Sequence, residues 1–444
     1  MSKKVGVMLL LSALTMCFTA CGVRQYLEEI SFRVRPLDGG KSVEIVEAGL
    51  NLSILGENLG LGVNQTVRIP ARLHGKPVTA IGNNVFKGKR IINVTIPSSV
   101  KTIGDGAFAD NMLTSVAVGK GVTAIGEGAF AGNMLTSVTI GGKVTSIGDG
   151  AFAQNQLASV KIPGKVTEIG EEAFAENQLT SVTIGKRVTV IGERAFYKNQ
   201  LASVTIPNSV TEIGTEAFWE NQLTSVTLPN GLTVIGDWGF QDNQLASVTI
   251  PNSVTTIGAG TFYENQLASI TLPNSVTEIG AEAFAKNPLT AVQIAADNPT
   301  YIIKNSFLLS KDEKQLVLYF GSEGNVAVPG GTETIGAGAF SARQIVGVTI
   351  PDSVTVIGNR AFRGNQLTSV EIPNGVTAIG DRAFQDNQLT SVTIGPSAVL
   401  GNSTFDGNFD SQYVSTYYDW DSGRYISRRT AGTYVRRGNS WGRR

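Results

Sequence analysis

The stretch from Leu179 to Gln200, LTSVTIGKRVTVIGERAFYKNQ, decides the fold, because close copies of it follow one another at a fixed interval. Its phenylalanine recurs every 22 residues from Phe86 through Phe284 and resumes at Phe340, Phe362 and Phe384. A glycine four places earlier keeps the same register, from Gly82 through Gly280 and from Gly336 through Gly380. A repeat of this length is the signature of a solenoid, in which each copy is one coil.

The pattern within one copy predicts its parts. Ser181-Val182-Thr183-Ile184 alternates, which is the period of a half-buried strand with Val and Ile inward and Ser and Thr outward. Thr189-Val190-Ile191 is β-branched and stops at Gly192, so a second, shorter strand is expected there. Glu193-Arg194-Ala195-Phe196 is helix-friendly with room for about one turn, and reads as a 3₁₀ or single α turn before a bend at Asn199. Burying seven apolar side chains yields roughly 10–15 kcal/mol, whereas fixing each backbone residue costs about 1–2 kcal/mol. One coil therefore cannot stand alone, and stacking must join the apolar stripes into a continuous core. With parallel strands about 4.8 Å apart, about fifteen coils would form a body about 70 Å long. The asparagine three places after each phenylalanine, from Asn111 through Asn287, is expected to form a ladder that satisfies backbone groups at the bend.

The unit LTSVTIPNSVTEIG followed by EAF, present with small changes at Leu201 to Phe218 and at Leu267 to Phe284, resembles the BspA-like leucine-rich repeat family. The resemblance extends from about Thr66 to Thr393. It implies a β-rich repeat solenoid, a leucine-rich repeat right-handed superhelix of 22-residue coils with short 3₁₀ or α turns. It also implies a surface lipoprotein or secreted protein of spirochaetal, oral or gut bacterial type that acts as an adhesin. The partners so implied are host matrix or plasma proteins such as fibronectin and fibrinogen, epithelial cells, or other bacterial cells.

Residues 1–20 read as an export leader, with Lys3 and Lys4 before an apolar run from Val5 to Phe18. That run is too short for a spanning helix. Cys21 follows Thr19-Ala20, which resembles a lipoprotein signal with Cys21 as the lipidated first residue, although Phe18 stands where the usual box has leucine. The expected location is lipid-anchored at the outer membrane or cell surface. Cys17 and Cys21 are the only cysteines, so removal of the leader leaves no pair for an intramolecular disulfide.

Residues 21–65 are expected to cap the first coil, because an open solenoid end exposes core and strand edges. The array then runs over 66–294. An island at 295–333 breaks the period, with strands at Tyr301-Ile302-Ile303, Phe307-Leu308-Leu309 and Leu316 to Tyr319. Lys311-Asp312-Glu313-Lys314 forms a tight polar turn between the last two strands, so a hairpin is predicted. Its aromatics are candidates for a contact site as well as for core filling. The array resumes over 334–408, and 409–444 form a basic aromatic cap or tail whose last 23 residues hold seven arginines and no acid.

The outward residues of the long strand define a candidate ligand face: Ser181 and Thr183, Ser203 and Thr205, Ser225 and Thr227, Ser247 and Thr249. They are expected to stand in two rows on one shared sheet. Small hydroxyl residues also suit a merely solvated β-face, and without charged or aromatic anchors such rows bind by length and multivalency. His74, the one histidine, lies in a turn with no ligand cluster around it. No catalytic residue, cofactor or metal is expected, and export argues against a nucleic-acid partner for the arginine-rich tail. With 16% charged residues and zero formal net charge, the chain reads as a neutral β-rich repeat protein, and the lack of a histidine or cysteine constellation and of a non-repeat domain large enough for a cleft disfavours an enzyme. A structural envelope component without a soluble ligand and a threonine-lined ice-binding face are the other classes the residues leave open.

Overall fold

Alternation of Val and Ile with Ser and Thr builds the strands of each coil, and stacking supplies their hydrogen-bond partners. The computed structural model describes residues 30–50, 65–395, 397–408, 417–419, 424–426, 432–437 and 440–443. The leader, Cys21 and part of the 21–65 segment lie outside the described residues. In the coil that opens at Leu179 the two strands are Ser181–Thr183 and Val190–Ile191. Leu179, Val188, Ile191, Ala195 and Phe196 are all fully buried. The short strands pair in parallel and in register, Ile169 on Ile191 and Ile191 on Ile213, so like sits on like. They build a 13-stranded sheet that runs from the N-terminal hairpin to Glu278–Ile279.

After the short strand the chain turns in a way the residue types conceal. The segment read as a 3₁₀ or α turn forms two linked β-turns instead, closed by Ala195 N–H to Gly192 O at 3.3 Å and Tyr197 N–H to Arg194 O at 2.9 Å. Arg194 takes a left-handed backbone with φ of 51°. That conformation at the third residue of the first turn diverts the chain from a helix. The intervening N–H groups point along the solenoid, from Arg194 to Thr215 O, Phe196 to Ala217 O and Lys198 to Trp219 O, at 2.9–3.0 Å. Each turn thus joins the ladder.

The phenylalanines stack between these turns. From Phe86 to Phe284 neighbouring rings lie 5.0–5.7 Å apart and within 12° of parallel. Such spacing belongs to the offset-stacked geometry. A second stack runs from Phe340 through Phe362 and Phe384 to Phe405 at 4.8–5.5 Å. Gly192 permits this close approach, since a Cβ there would lie 2.7 Å from Ile169 O, 2.8 Å from Gly170 C and 2.9 Å from Glu171 N. Gly192→Ala is therefore expected to cost about 1–3 kcal/mol, read as a lower urea midpoint. Gly164→Ala, where a Cβ meets nothing within 4 Å, should leave the midpoint unchanged.

Asparagine closes the bend as the sequence predicts. Asn199 is buried, its Nδ2 donates to Phe174 O, Phe196 O and Tyr197 O, and its Oδ1 accepts Leu179 N–H at 2.9 Å. The same set of bonds recurs at Asn155, Asn177, Asn221, Asn243 and Asn265.

The described parts of both ends carry antiparallel strands that cover the stack. Ile30–Leu37 and Ser42–Leu50 form a hairpin whose second strand pairs with Lys76–Ile81, while Phe32 sits edge-on to Phe86 at 6.4 Å. Gly432–Arg437 adds antiparallel to Ser391–Ile394 at the other end. At the island, Tyr301–Lys304, Phe307–Ser310 and Gln315–Tyr319 make an antiparallel meander, and the last strand then pairs in parallel with Thr334–Ile335. Asp312 forms its tight turn, accepting from Ser310 Oγ at 2.6 Å and Lys314 N–H at 3.1 Å. Of the two uses expected of the island aromatics the structure shows core filling: Tyr301, Phe307, Tyr319 and Phe320 are buried between the arrays. Away from the meander the arrays touch directly, through Glu282 N–H to Ala337 O and the buried Glu282 carboxylate to Arg360 at 2.9 Å.

Candidate binding face

Outward alternation exposes every hydroxyl residue of the candidate rows: Ser181, Thr183, Ser203, Thr205, Ser225, Thr227, Ser247 and Thr249 are all exposed. Register aligns them, with Ser181 beside Ser159, Ser203 beside Ser225 and Thr205 beside Thr227. The rows therefore exist, but the single sheet expected beneath them does not. Long strands pair two by two, Ser159–Lys161 with Ser181–Thr183 and Ser203–Thr205 with Ser225–Thr227, and Ser247 and Thr249 lie outside any strand.

Four of the gaps fall where the second residue of a coil is alanine, whereas the junctions before Ser115–Ala117 and Ser369–Ile372 are open although Thr114 and Thr368 stand there. Where a coil opens Leu-Thr, the threonine can bond twice to the preceding coil. Thr180 donates from N at 2.9 Å and Oγ1 at 3.2 Å to Ala158 O, and Thr224 does so to Ala202 O at 3.0 and 3.3 Å. The coils that open Leu-Ala, at Ala158, Ala202, Ala246 and Ala268, lack this hydroxyl, and the strand pairing to the coil before is open at each. Ala246 and Ala268 follow in succession, and between them the segment Ser247 to Ile250 has no backbone hydrogen bond among the described residues.

There the rows open into a groove of about 850 Å³ between Thr249, Ile250, Thr271, Leu272 and Gln293. Its lining contains no charged residue. A second hollow of about 530 Å³ continues from Gln293 and Ile294 onto the island at Tyr301, Ile303 and Lys311. Of the predicted site residues only Thr249 lines the groove. The others stand on the face leading towards it. The groove was missed in the sequence, although two successive Leu-Ala coils were its signal. Cys21 lies outside the described residues. His74 is an exposed turn residue, and no group of three or more His, Cys, Asp and Glu suited to a metal occurs among the described residues.

The arrangement can hold an extended, largely uncharged surface. A family profile described as BspA type leucine rich repeat region matches residues 79–202, 189–312 and 324–417. The fold is similar to a leucine-rich repeat protein from Bacteroides ovatus, with 22% identity, 87% of this chain and 94% of that one covered, and a TM-score of 0.52. It is also similar to a leucine rich cell surface protein from Faecalibacterium prausnitzii, with 25% identity, 84% and 93% coverage, and a TM-score of 0.51. No curated protein matches the chain.

Proposed function

Because the chain belongs to the BspA-type leucine-rich repeat family, we propose that it is a cell-surface adhesin that binds host extracellular-matrix or plasma proteins, or other bacterial cells, through its long-strand face. The observation that carries this reading is the uncharged groove beside Thr249, where the exposed hydroxyl rows end and strand pairing stops. Free main-chain groups on extended segments favour polypeptide over small-molecule ligands, and the repeated rows let many weak contacts add. Surface display agrees with the cell-surface relative from Faecalibacterium prausnitzii. The lipid anchor at Cys21 belongs to this proposal, and fibronectin and fibrinogen are the partners to try first.

The test is binding of the Gly22 to Arg444 chain to immobilised fibronectin, fibrinogen and whole bacterial cells. A parallel variant carries Thr183→Glu, Thr205→Glu, Thr227→Glu and Thr249→Glu, all at exposed positions, and circular dichroism against the parent checks that it keeps the fold. Saturable binding that weakens about tenfold or more in the variant, a change of about 1.4 kcal/mol, is the expected result. Binding retained in the variant moves the site off this face, and no binding to any target favours a structural envelope component.

A further inference from the structure

Each coil demands a left-handed backbone two places before its phenylalanine. Early coils meet the demand with Gly106, Gly128 and Gly150, at φ of 56–59°. The next four place Glu172, Arg194, Glu216 and Trp238 there, at φ of 51–57°. Side chains in this conformation cost about 1–2 kcal/mol each, a cost that Glu282, Arg360 and Arg382 also bear in other coils. The place just after the phenylalanine changes over the same region. It is alanine at Ala131, Ala153 and Ala175, then becomes Tyr197, Trp219, Gln241 and Tyr263.

These substitutions fit one another. Trp238 lies across Gly260, where an added Cβ would come within 1.9 Å of the indole carbons, and meets Tyr263 edge-on at 5.8 Å. Tyr197 and Trp219 lie 5.1 Å apart. The Trp219 indole nitrogen is buried with no hydrogen-bond partner among the described residues. Around the rings the five turns 171–176, 193–198, 215–220, 237–242 and 259–264 carry nine carboxylates against two cations, in a chain whose net charge is zero. Burial, then repulsion from Glu193 and Asp149, raises the carboxyl pKa of Glu171 above its ordinary value. The outer rings already hold ammonium groups, Lys198 4.9 Å from Tyr197 and Lys286 5.0 Å from Tyr263. Trp219 and Trp238, between them, hold none among the described residues, and indole is the strongest cation–π acceptor.

We propose that this turn face, on a different side of the coil from the hydroxyl rows, docks a lysine- or arginine-rich segment of a partner protein. Trp219 and Trp238 take its cations against their rings while Glu176 and Asp242 supply the surrounding negative field. Charge excess selects the basic partner over a neutral glycan, which aromatic rings alone would also suit.

The probe is a fluorescent octa-arginine peptide titrated by anisotropy into the Gly22 to Arg444 chain at 50 mM and 300 mM salt, alongside chitohexaose. Trp219→Ala with Trp238→Gly restores the residues that other coils carry at these places, so folding is preserved. The proposal expects saturable peptide binding, weakened about tenfold by that double variant and severalfold by Glu176→Gln with Asp242→Asn, and reduced by salt. Equal binding by parent and double variant overturns it, because the attraction is then only a diffuse charge effect. Failure of the peptide to bind at 50 mM salt, or binding of chitohexaose in its place, overturns it as well.

Discussion

Phe196→Ala is expected to lower stability by about 3–5 kcal/mol, the cost of truncating a fully buried phenylalanine. The ring is fully buried and has a stacked neighbour on each side, Phe174 at 5.7 Å and Phe218 at 5.3 Å. Burial and stacking can be separated at Phe284. That ring is only 2% exposed, yet it stacks on Phe262 alone at 5.7 Å, with the island on its other side. If each stacked pair adds about 0.5–1.5 kcal/mol beyond burial, Phe284→Ala should cost about 1 kcal/mol less than Phe196→Ala. Urea midpoints of the two variants against the parent decide this. Equal losses would mean that the column is a consequence of the repeat and that burial alone holds the rings.

The column and the asparagine ladder were legible because both depend on residue type at a fixed period. Phe, Ile and Asn recur in register, and stacking places each on its own copy. The island was legible for a different reason: its strands alternate around Lys311 to Lys314, a turn made from local residues. Two features escaped. The turn at Glu193 to Phe196 looked helical because Glu, Arg and Ala all favour helices. The glycines that other coils carry at the place of Arg194, such as Gly150, recorded the left-handed backbone that excludes a helix. The broken sheet beneath the hydroxyl rows escaped because the breaks do not follow the repeat: Thr114 and Thr368 keep the hydroxyl, yet their junctions are open. Thr180 joins its coil to the one before, and Ala202 leaves its junction open. Averaging over repeats hides such differences, and the groove at Thr249 lies where two junctions in succession are open.

Asn199→Ala is expected to cost about 4 kcal/mol or more, although the residue is polar and buries little apolar surface. Its amide serves Leu179 N–H, Phe174 O, Phe196 O and Tyr197 O together, and the first three belong to fully buried residues. Each buried backbone group left without a partner costs about 1–3 kcal/mol, and alanine leaves several. Asn199→Asp separates the two halves of the amide. Its Oδ1 can still accept from Leu179 N–H, but at pH 7 a carboxylate replaces the Nδ2 donor and faces the three carbonyl oxygens. Burial beside those oxygens favours the protonated form and holds the folded-state pKa of the new carboxyl above its unfolded value of about 3.9. A raised folded pKa stabilises fully below the unfolded pKa and is lost as pH rises through the folded one. The variant should therefore lie closest to the parent below about pH 4, where the protonated acid donates to a carbonyl, and fall away from it towards pH 7. Urea midpoints at both pH values, with amide exchange across residues 174–201, measure the effect. A gap that is equally small at both pH values would show that the ladder's acceptor half, which aspartate keeps, is enough to hold the coils together.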